Sequence, residues 1–381
     1  MPFDAASSAF GTATAPDGKR RAVAFWLLTV AGMVWVMVAI GGATRLTGSG
    51  LSIMEWAPLS GFLPPLSEAE WNRLYDLYRT IPQYRLVNAG FGLEGFKEIF
   101  WLEWIHRFWG RLIGLVFAGG LAWFAWRRAI PQGYGRRMVL LLVLGGLQGA
   151  VGWFMVASGF QADRTAVSPW RLVIHLGLAL VLFSMLVWTA LTLLRPMRNA
   201  PPAAAPLRGM AHATAGLLAL AMLAGGFVAG TKAGFTYNTF PLMDGALVPP
   251  GYADLSPFPR NLVENLAAVQ FNHRLLATLA GVAALVLAWR VIRAVPRGRV
   301  RTAGLILGGV VAAQYALGVA TLVHVVPVWL GTLHQTVAVG VLAAVLLLLH
   351  SLRAPRPVPR AAPAPSLAER AARTSPPDRV M

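Results

Sequence analysis

Four histidines stand at matching places in two similar stretches of the chain, and their pairing points to metal ligation. The first stretch holds Glu103-Trp104-Ile105-His106-Arg107, then an apolar span with Gln148, then Pro169-Trp170 with His175 five residues after that tryptophan. The second holds Gln270-Phe271-Asn272-His273-Arg274, an apolar span with Gln314, then Pro327-Val328-Trp329 with His334 again five residues on. Upstream, Gly41-Gly42 to Pro64-Pro65 matches Gly225-Gly226 to Pro249-Pro250. Similarity at this length marks one duplicated structural unit. A lone histidine near a helix end is ordinarily a hydrogen-bonding residue. A pair kept in both copies carries more weight, and His212, His324 and His350, which have no counterparts, read as structural.

Two imidazoles per unit, with no cysteine and no carboxylate cluster beside them, suit the axial ligation of haem iron. Zinc wants four ligands, or three and a water, and copper on two histidines stays open. Arg107 and Arg274 each follow a histidine, and Arg171 lies four residues before His175. Guanidinium groups so placed can hold haem propionates; the plainer alternative is snorkelling at a membrane interface. Gln148 and Gln314, mid-helix in both copies, are expected to join helices by hydrogen bonds.

One difference between the copies bears on chemistry. Glu103 stands three residues before His106, whereas Gln270 stands three before His273. The i, i+3 spacing puts each on its histidine's face of the helix. A carboxylate can move protons or stabilise developing positive charge, and an amide cannot titrate. If one copy does chemistry and the other carries electrons, the first is the better candidate. The competing account of Glu103 is an i, i+4 ion pair with Arg107.

The elements that must position these residues are membrane helices. The 381 residues are 56% hydrophobic and 13% charged, far too apolar for a soluble globular protein. Crossing ~30 Å of hydrocarbon takes ~20 mostly apolar residues. Eight segments qualify, near 22–42, 104–126, 138–157, 171–194, 209–230, 268–289, 302–323 and 329–350. The net charge of +18 does not imply nucleic-acid binding, because 21 of the 33 Lys and Arg cluster at residues 19–21, in alternate connections and in the C-terminal tail, while the intervening connections hold 11 of the 15 Asp and Glu. That pattern places both termini and the short basic loops in the cytoplasm. The absence of cysteine excludes disulfides, thiolate metal sites and c-type haem attachment. The first apolar segment has no small-residue cleavage site after it and reads as an uncleaved helix.

The resulting fold class is an all-α integral membrane protein, with eight transmembrane helices as two tandem, parallel, pseudo-symmetric four-helix bundles. The expected divisions are a disordered N-terminus (1–21), a first repeat (22–198) with a long outer loop (43–103), a linker (199–208), a second repeat (209–352) and a disordered tail (353–381). Helices 2, 4, 6 and 8 then enter from the outer face, with His106, His175, His273 and His334 in their first turns. In the long loop, Ser67 and Glu70 form a capping box for a helix over about 68–80. Trp71, Leu74, Tyr75 and Tyr78 share one face of it, which suits either a lid on the membrane surface or a solvated loop helix.

These residues resemble the haem A synthases of aerobic bacteria and mitochondria. Gly41-Gly42-Ala43-Thr44-Arg45-Leu46-Thr47 with Ser49-Gly50-Leu51-Ser52 is similar to that family's first-loop signature. Phe96-Lys97 followed by Glu103-Trp104-Ile105-His106-Arg107-Phe108-Trp109-Gly110-Arg111 resembles its helix-2 motif. Tyr237-Asn238-Thr239-Phe240-Pro241-Leu242-Met243 and Gln270-Phe271-Asn272-His273-Arg274 resemble its second-half motifs, and the likeness runs from about residue 22 to 352. The resemblance implies oxidation of the C8 methyl of haem O to a formyl group through hydroxylated intermediates. It implies His106 and His175 as axial ligands of the substrate haem O, His273 and His334 as ligands of a haem b cofactor, and Glu103 as the catalytic carboxylate. Some members carry cysteine pairs in the outward loops; their absence here resembles the proteobacterial and mitochondrial branch and puts thiol-based electron transfer in doubt.

The implied setting is a bacterial inner membrane, with the haem sites toward the periplasm. The implied partners are haem O delivered by a haem O synthase, cytochrome oxidase assembly factors and an electron donor that the sequence does not name; a homo-oligomer is compatible with all of this. A different class of protein, a di-haem b electron carrier or quinol oxidoreductase, would keep both haems bound and use Glu103 for quinol protons. A parallel-repeat transporter would bind no haem.

Overall fold

The computed structural model describes residues 17–57, 60–162, 164–195 and 200–353. Among the described residues there are ten α-helices: α1 (Asp17–Leu46), α2 (Glu68–Tyr78), α3 (Pro82–Leu86), α4 (Gly92–Trp126), α5 (Gly135–Ala157), α6 (Pro169–Leu194), α7 (Leu207–Thr231), α8 (Leu266–Ala294), α9 (Arg299–Val323) and α10 (Val328–Ser351). All but α2 and α3 are long and apolar enough to cross a membrane, which makes this a multi-pass membrane protein. Their starts follow local chemistry. Pro169 opens α6 and Pro327 caps α10, where a missing N–H costs nothing. Asn265 caps α8 by accepting from the amides of Ala267 and Ala268.

Within the first half, α1 packs on α4 and α6, and α5 packs on α4 and α6. In the second half, α7 packs on α8 and α10, and α9 on α8 and α10. Across the middle, α1 meets α10, α6 meets α7, and α6 meets α10. Lipid tails are as apolar as leucine, so these contacts depend on close approach at small residues and on hydrogen bonds. A Cβ on Gly42 would lie 2.9 Å from Gln335 Oε1, and Gln335 donates to the Val38 carbonyl at 3.1 Å. The corresponding contact sets Gly226 against Val173 and Leu176. Likewise, Gly331 is covered by Leu46 and Gly230 by Pro169. The main buried cluster draws on these interior helices, with Leu27 of α1, Leu186 and Leu193 of α6 and Leu348 of α10 among its members.

Four features differ from the sequence-based expectation. First, α1 begins at Asp17 and runs to Leu46, so residues 17–21 are helix rather than tail. Second, α4 starts at Gly92, well before 104; its 35 residues span about 50 Å, more than the hydrocarbon requires. His106 therefore lies several turns inside α4, while His175, His273 and His334 fall in the second or third turns of theirs. Third, the apolar face of α2 rests on the protruding part of α4: Trp71, Tyr75 and Tyr78 pack around Phe96 and Phe100. Fourth, α7 begins at Leu207, inside the expected linker. Residues 1–16 and 354–381, expected as disordered ends, lie outside the described residues.

The capping box is half formed. Ser67 accepts from the Glu70 amide at 3.2 Å, but the Glu70 carboxylate pairs with Arg73 instead of turning back to the cap.

Candidate haem site

Each of the four matched histidines lies against a glycine of a neighbouring helix. An added Cβ would stand 3.1 Å from His106 Nε2 at Gly41, and 3.0 Å from His175 Cε1 at Gly152. In the second half the distances are 3.0 Å from His273 Cε1 at Gly225 and 2.9 Å from His334 Cε1 at Gly318. All four glycines fall in the last two turns of their helices, α1, α5, α7 and α9. The rings thus share one level near one end of the helices. Each histidine is only partly buried, so some imidazole surface stays accessible.

The rings are also oriented from behind. Gln148 Nε2 lies 3.2 Å from His175 Nδ1 and donates to the His175 carbonyl at 3.1 Å. Gln314 makes the same two contacts with His334, at 3.2 and 3.1 Å. The expected helix-joining role of both glutamines is therefore present, and its target is the candidate ligand. His273 Nδ1 faces the Ala221 carbonyl at 3.1 Å; as that can only accept, Nδ1 carries the proton and Nε2 keeps its lone pair. His106 and His175 are within electrostatic range of each other, as are His273 and His334.

Glu103 is buried and fully engaged. Its Oε2 accepts from Ser52 Oγ at 2.7 Å and from the Ile53 amide at 2.9 Å, while Oε1 accepts from Arg107 at 2.6 and 3.0 Å. Arg107 also donates to the carbonyls of Ile53 and Glu55. The expected ion pair with Arg107 is present, and with it the carboxylate anchors the segment after α1. Arg111, one turn on, donates to the carbonyls of Ala57 and Gly61. Trp56 of the same segment stacks on Trp153 of α5, with ring centres 5.4 Å apart.

The second half repeats this clamp, with the polarity reversed at Gln270 alone. Gln270 donates to the carbonyls of Ala233 and Thr236, and Arg274 to those of Tyr237 and Thr239. Arg171 donates to the Phe154 carbonyl at 2.8 Å and covers the Phe154 ring, tying α6 to α5. All three candidate propionate-binding arginines thus already serve as bridges. Of the unmatched histidines, His212 and His324 each face the carbonyl four residues earlier, and His350 is buried beside Trp188.

The glycine notches and the Ser52–Glu103 bond are not apparent from the motifs alone. Two signals for the notches were present: Gly41 and Gly225 open the matched Gly-Gly pairs, and Gly152 and Gly318 each follow a glutamine by four residues, on its helix face, in both copies.

The donor set fits haem. Among the described residues no three His, Cys, Asp or Glu side chains cluster as a metal cage, which disfavours zinc, while each half presents two imidazoles at one level. Residues 24–346 match the family described as cytochrome oxidase assembly protein, COX15-CtaA. The chain belongs to this family. It is 56% identical over 342 residues to "Heme A synthase" of Granulibacter bethesdensis, covering 90% of each chain. It is 48% identical over 354 residues to "Heme A synthase" of Methylorubrum extorquens strain PA1, covering 91% of this chain and 90% of that one. With "Heme A synthase 2" of Acidiphilium cryptum it shares 46% over 346 residues, covering 90% and 94%.

Proposed function

We infer that this protein is an oxidoreductase that converts haem O to haem A, the activity its relatives' names carry, in the service of cytochrome oxidase assembly. The observation that carries the site assignment is the fourfold histidine–glycine notch, two per half and all at one level. The relatives' names favour this activity over the electron-carrier and transporter alternatives.

In the site we propose, His106 and His175 hold haem O, and His273 and His334 hold a resident haem b. When bound, the haem b supplies one-electron redox chemistry. This chain's residues do the rest. Ala221 fixes the tautomer of His273, and Gln314 fixes the ring position of His334. Gln148 does the same for His175 beside the substrate. Glu103 places a carboxylate one turn from His106, held against Arg107. With Arg107, Ser52 and the Ile53 amide filling its four acceptor positions, it suits stabilisation of positive charge developing at the substrate methyl better than free proton shuttling. Arg107, Arg171 and Arg274 each have five N–H donors and are the propionate contacts in this reading.

The architecture we propose is two tandem, parallel four-helix bundles related by a pseudo-two-fold axis along the membrane normal. Supporting it are the equivalent helix pairings in the two halves and the exchanged contacts Gly42–Gln335 and Gly226–Leu176. The charge distribution supports cytoplasmic termini in a bacterial inner membrane, with the histidine level toward the periplasm. Haem O would come from a haem O synthase.

The test is co-expression with a haem O synthase in a host that makes no haem A, followed by chromatography of the extracted haems. Haem A should appear with the native chain and vanish with His106→Ala. A native chain that returns only haem b and haem O would overturn the activity.

A further inference from the structure

The two halves differ at the seam between the first histidine-bearing helix and its neighbour. In the second half, Tyr315 of α9, itself 36% exposed, lies across the seam with α8. Its ring lies 3.6 Å from where a Cβ on Gly281 would stand, and its hydroxyl pairs with Thr278 at 3.0 Å. Phe240 meets its edge, with ring centres 6.4 Å apart. Lower in the same seam, a Cβ on Gly304 would touch Val291, and one on Gly308 would touch Ala288.

The first half has a gap at the corresponding place. Gly149 follows Gln148 as Tyr315 follows Gln314, and Gly145 stands where the second half has the buried Val311. Gly114 lies eight residues after His106, as Gly281 does after His273. Nothing lies within 4 Å of a Cβ built on Gly114, Gly145 or Gly149, and all three are exposed, whereas Gly281 is buried. Position 111, equivalent to Thr278, is an arginine turned to the carbonyls of Ala57 and Gly61. Along α5 the open positions lead to the candidate ligand: Gly145, Gln148 and Gly152 share a face, and Gly152 abuts His175. At that inner end Gln148 Oε1 is buried without a partner.

The substrate haem differs from the cofactor haem in the same sense. Haem O carries a hydroxyethylfarnesyl chain where haem b has a vinyl group, so the half that takes haem O must house a long apolar chain with a hydroxyl at its root. We propose that the gap between α4 and α5, opened by Gly114, Gly145 and Gly149, receives the farnesyl chain of haem O, and that Tyr315 denies such a chain to the second half. The chain runs from the His106/His175 level outward between the two helices to the lipid. Its hydroxyl is a donor of the kind Gln148 Oε1 lacks. Gln314 Oε1 is also unpartnered, so selectivity between the halves rests on the glycine–tyrosine difference rather than on the amide. This inference deepens the assignment of haem O to the first half and rests on it.

The test is a titration of the purified full-length protein, its second half loaded with haem b, with haem O and separately with additional haem b. Binding at the first-half site is followed by difference spectra, with His106→Ala as the variant lacking a ligand. Gly149→Tyr installs the second half's residue. It should weaken haem O binding by about tenfold or more, as expected when a well-fitted space is overfilled, and leave first-half haem b binding within about twofold. Gly309→Ala, on α9 away from this gap and with nothing within 4 Å of a built Cβ, should bind both haems as the native chain does. Native-like haem O affinity in Gly149→Tyr would overturn the proposal. So would an equal loss of both haems, since the glycine would then only set helix spacing. Native-like haem O binding by His106→Ala would instead overturn the assignment of the substrate to this half, a separate outcome.

Discussion

Glu103 and Gln270 occupy equivalent places and hold the chain in opposite senses. The carboxylate gathers a hydroxyl, an amide and a guanidinium, whereas the amide donates to two carbonyls. A buried carboxylate with one partner removed leaves an uncompensated charge, costing about 3–5 kcal/mol, so Glu103 and Arg107 must act as a unit. The histidine notches give a separate prediction at this scale. A valine at Gly318 would press on His334, because even the first added carbon stands 2.9 Å from its ring. Gly318→Val should therefore lower haem b content or shift its low-spin absorption. Gly309→Ala, where a Cβ meets nothing within 4 Å, should leave the spectrum unchanged. Visible spectra of the two purified variants decide this, and identical native-like spectra would remove the notch from the account. Histidine pairing was legible in the sequence because duplication repeats it. The notches were not, because a glycine's importance depends on which ring faces it across a helix interface.

At the scale of elements, the long connection between α1 and α4 is fastened at its ends by different chemistry. Near the helices it is held by Glu103, Arg107 and Arg111, and further out by Arg73, which bridges Glu55 and Glu70 at 2.8 Å. Hydrogen bonding to Arg73 is the first cause that holds the carboxyls of both Glu55 and Glu70 below their ordinary pKa. In the unfolded chain these groups protonate at about 4.3. Their contribution is thus complete at pH values above that and is lost as pH falls through the lower folded values. Half-exposed pairs of this kind are worth only about 0–1 kcal/mol. Arg73→Ala should therefore speed amide exchange in the segment around Glu55 only slightly at neutral pH, with no change in the effect between pH 6 and 8. A large or pH-dependent effect in that range would mean another group is involved. The α2 helix itself was legible from Ser67 and its apolar stripe. What covers that stripe was not, because the partner is the extension of α4, whose mixed composition before residue 104 conceals helix over 92–103.

At the scale of the whole molecule, hydropathy identified all eight spans because each is a continuous apolar helix, while helix ends shifted wherever a helix continues beyond the membrane, as α1 and α4 do. The pairing of helices is written in small residues such as Gly42, Gly226 and Gly304, and only three-dimensional contacts show which helix each one meets. Orientation is a prediction from charge. Cysteines introduced into 43–103 or 231–267 should react with a membrane-impermeant maleimide once the outer membrane is permeabilised, and those near 132 or 297 should not. The reverse pattern would invert the topology, and the cysteine-free sequence gives no background. We propose a division of labour, with oxidation in the first half and a resident haem b in the second. The most direct test compares Glu103→Ala with Gln270→Ala, co-expressed with a haem O synthase, by haem b content and by chromatography of the extracted haems. Because a placed charge or proton-transfer group contributes about 10²–10⁴-fold, Glu103→Ala should keep its haem b signal, make almost no haem A and accumulate haem O or a hydroxylated intermediate, while Gln270→Ala stays far closer to native. Near-native haem A from Glu103→Ala, with a folded but inactive Gln270→Ala, would place the oxidation in the other half.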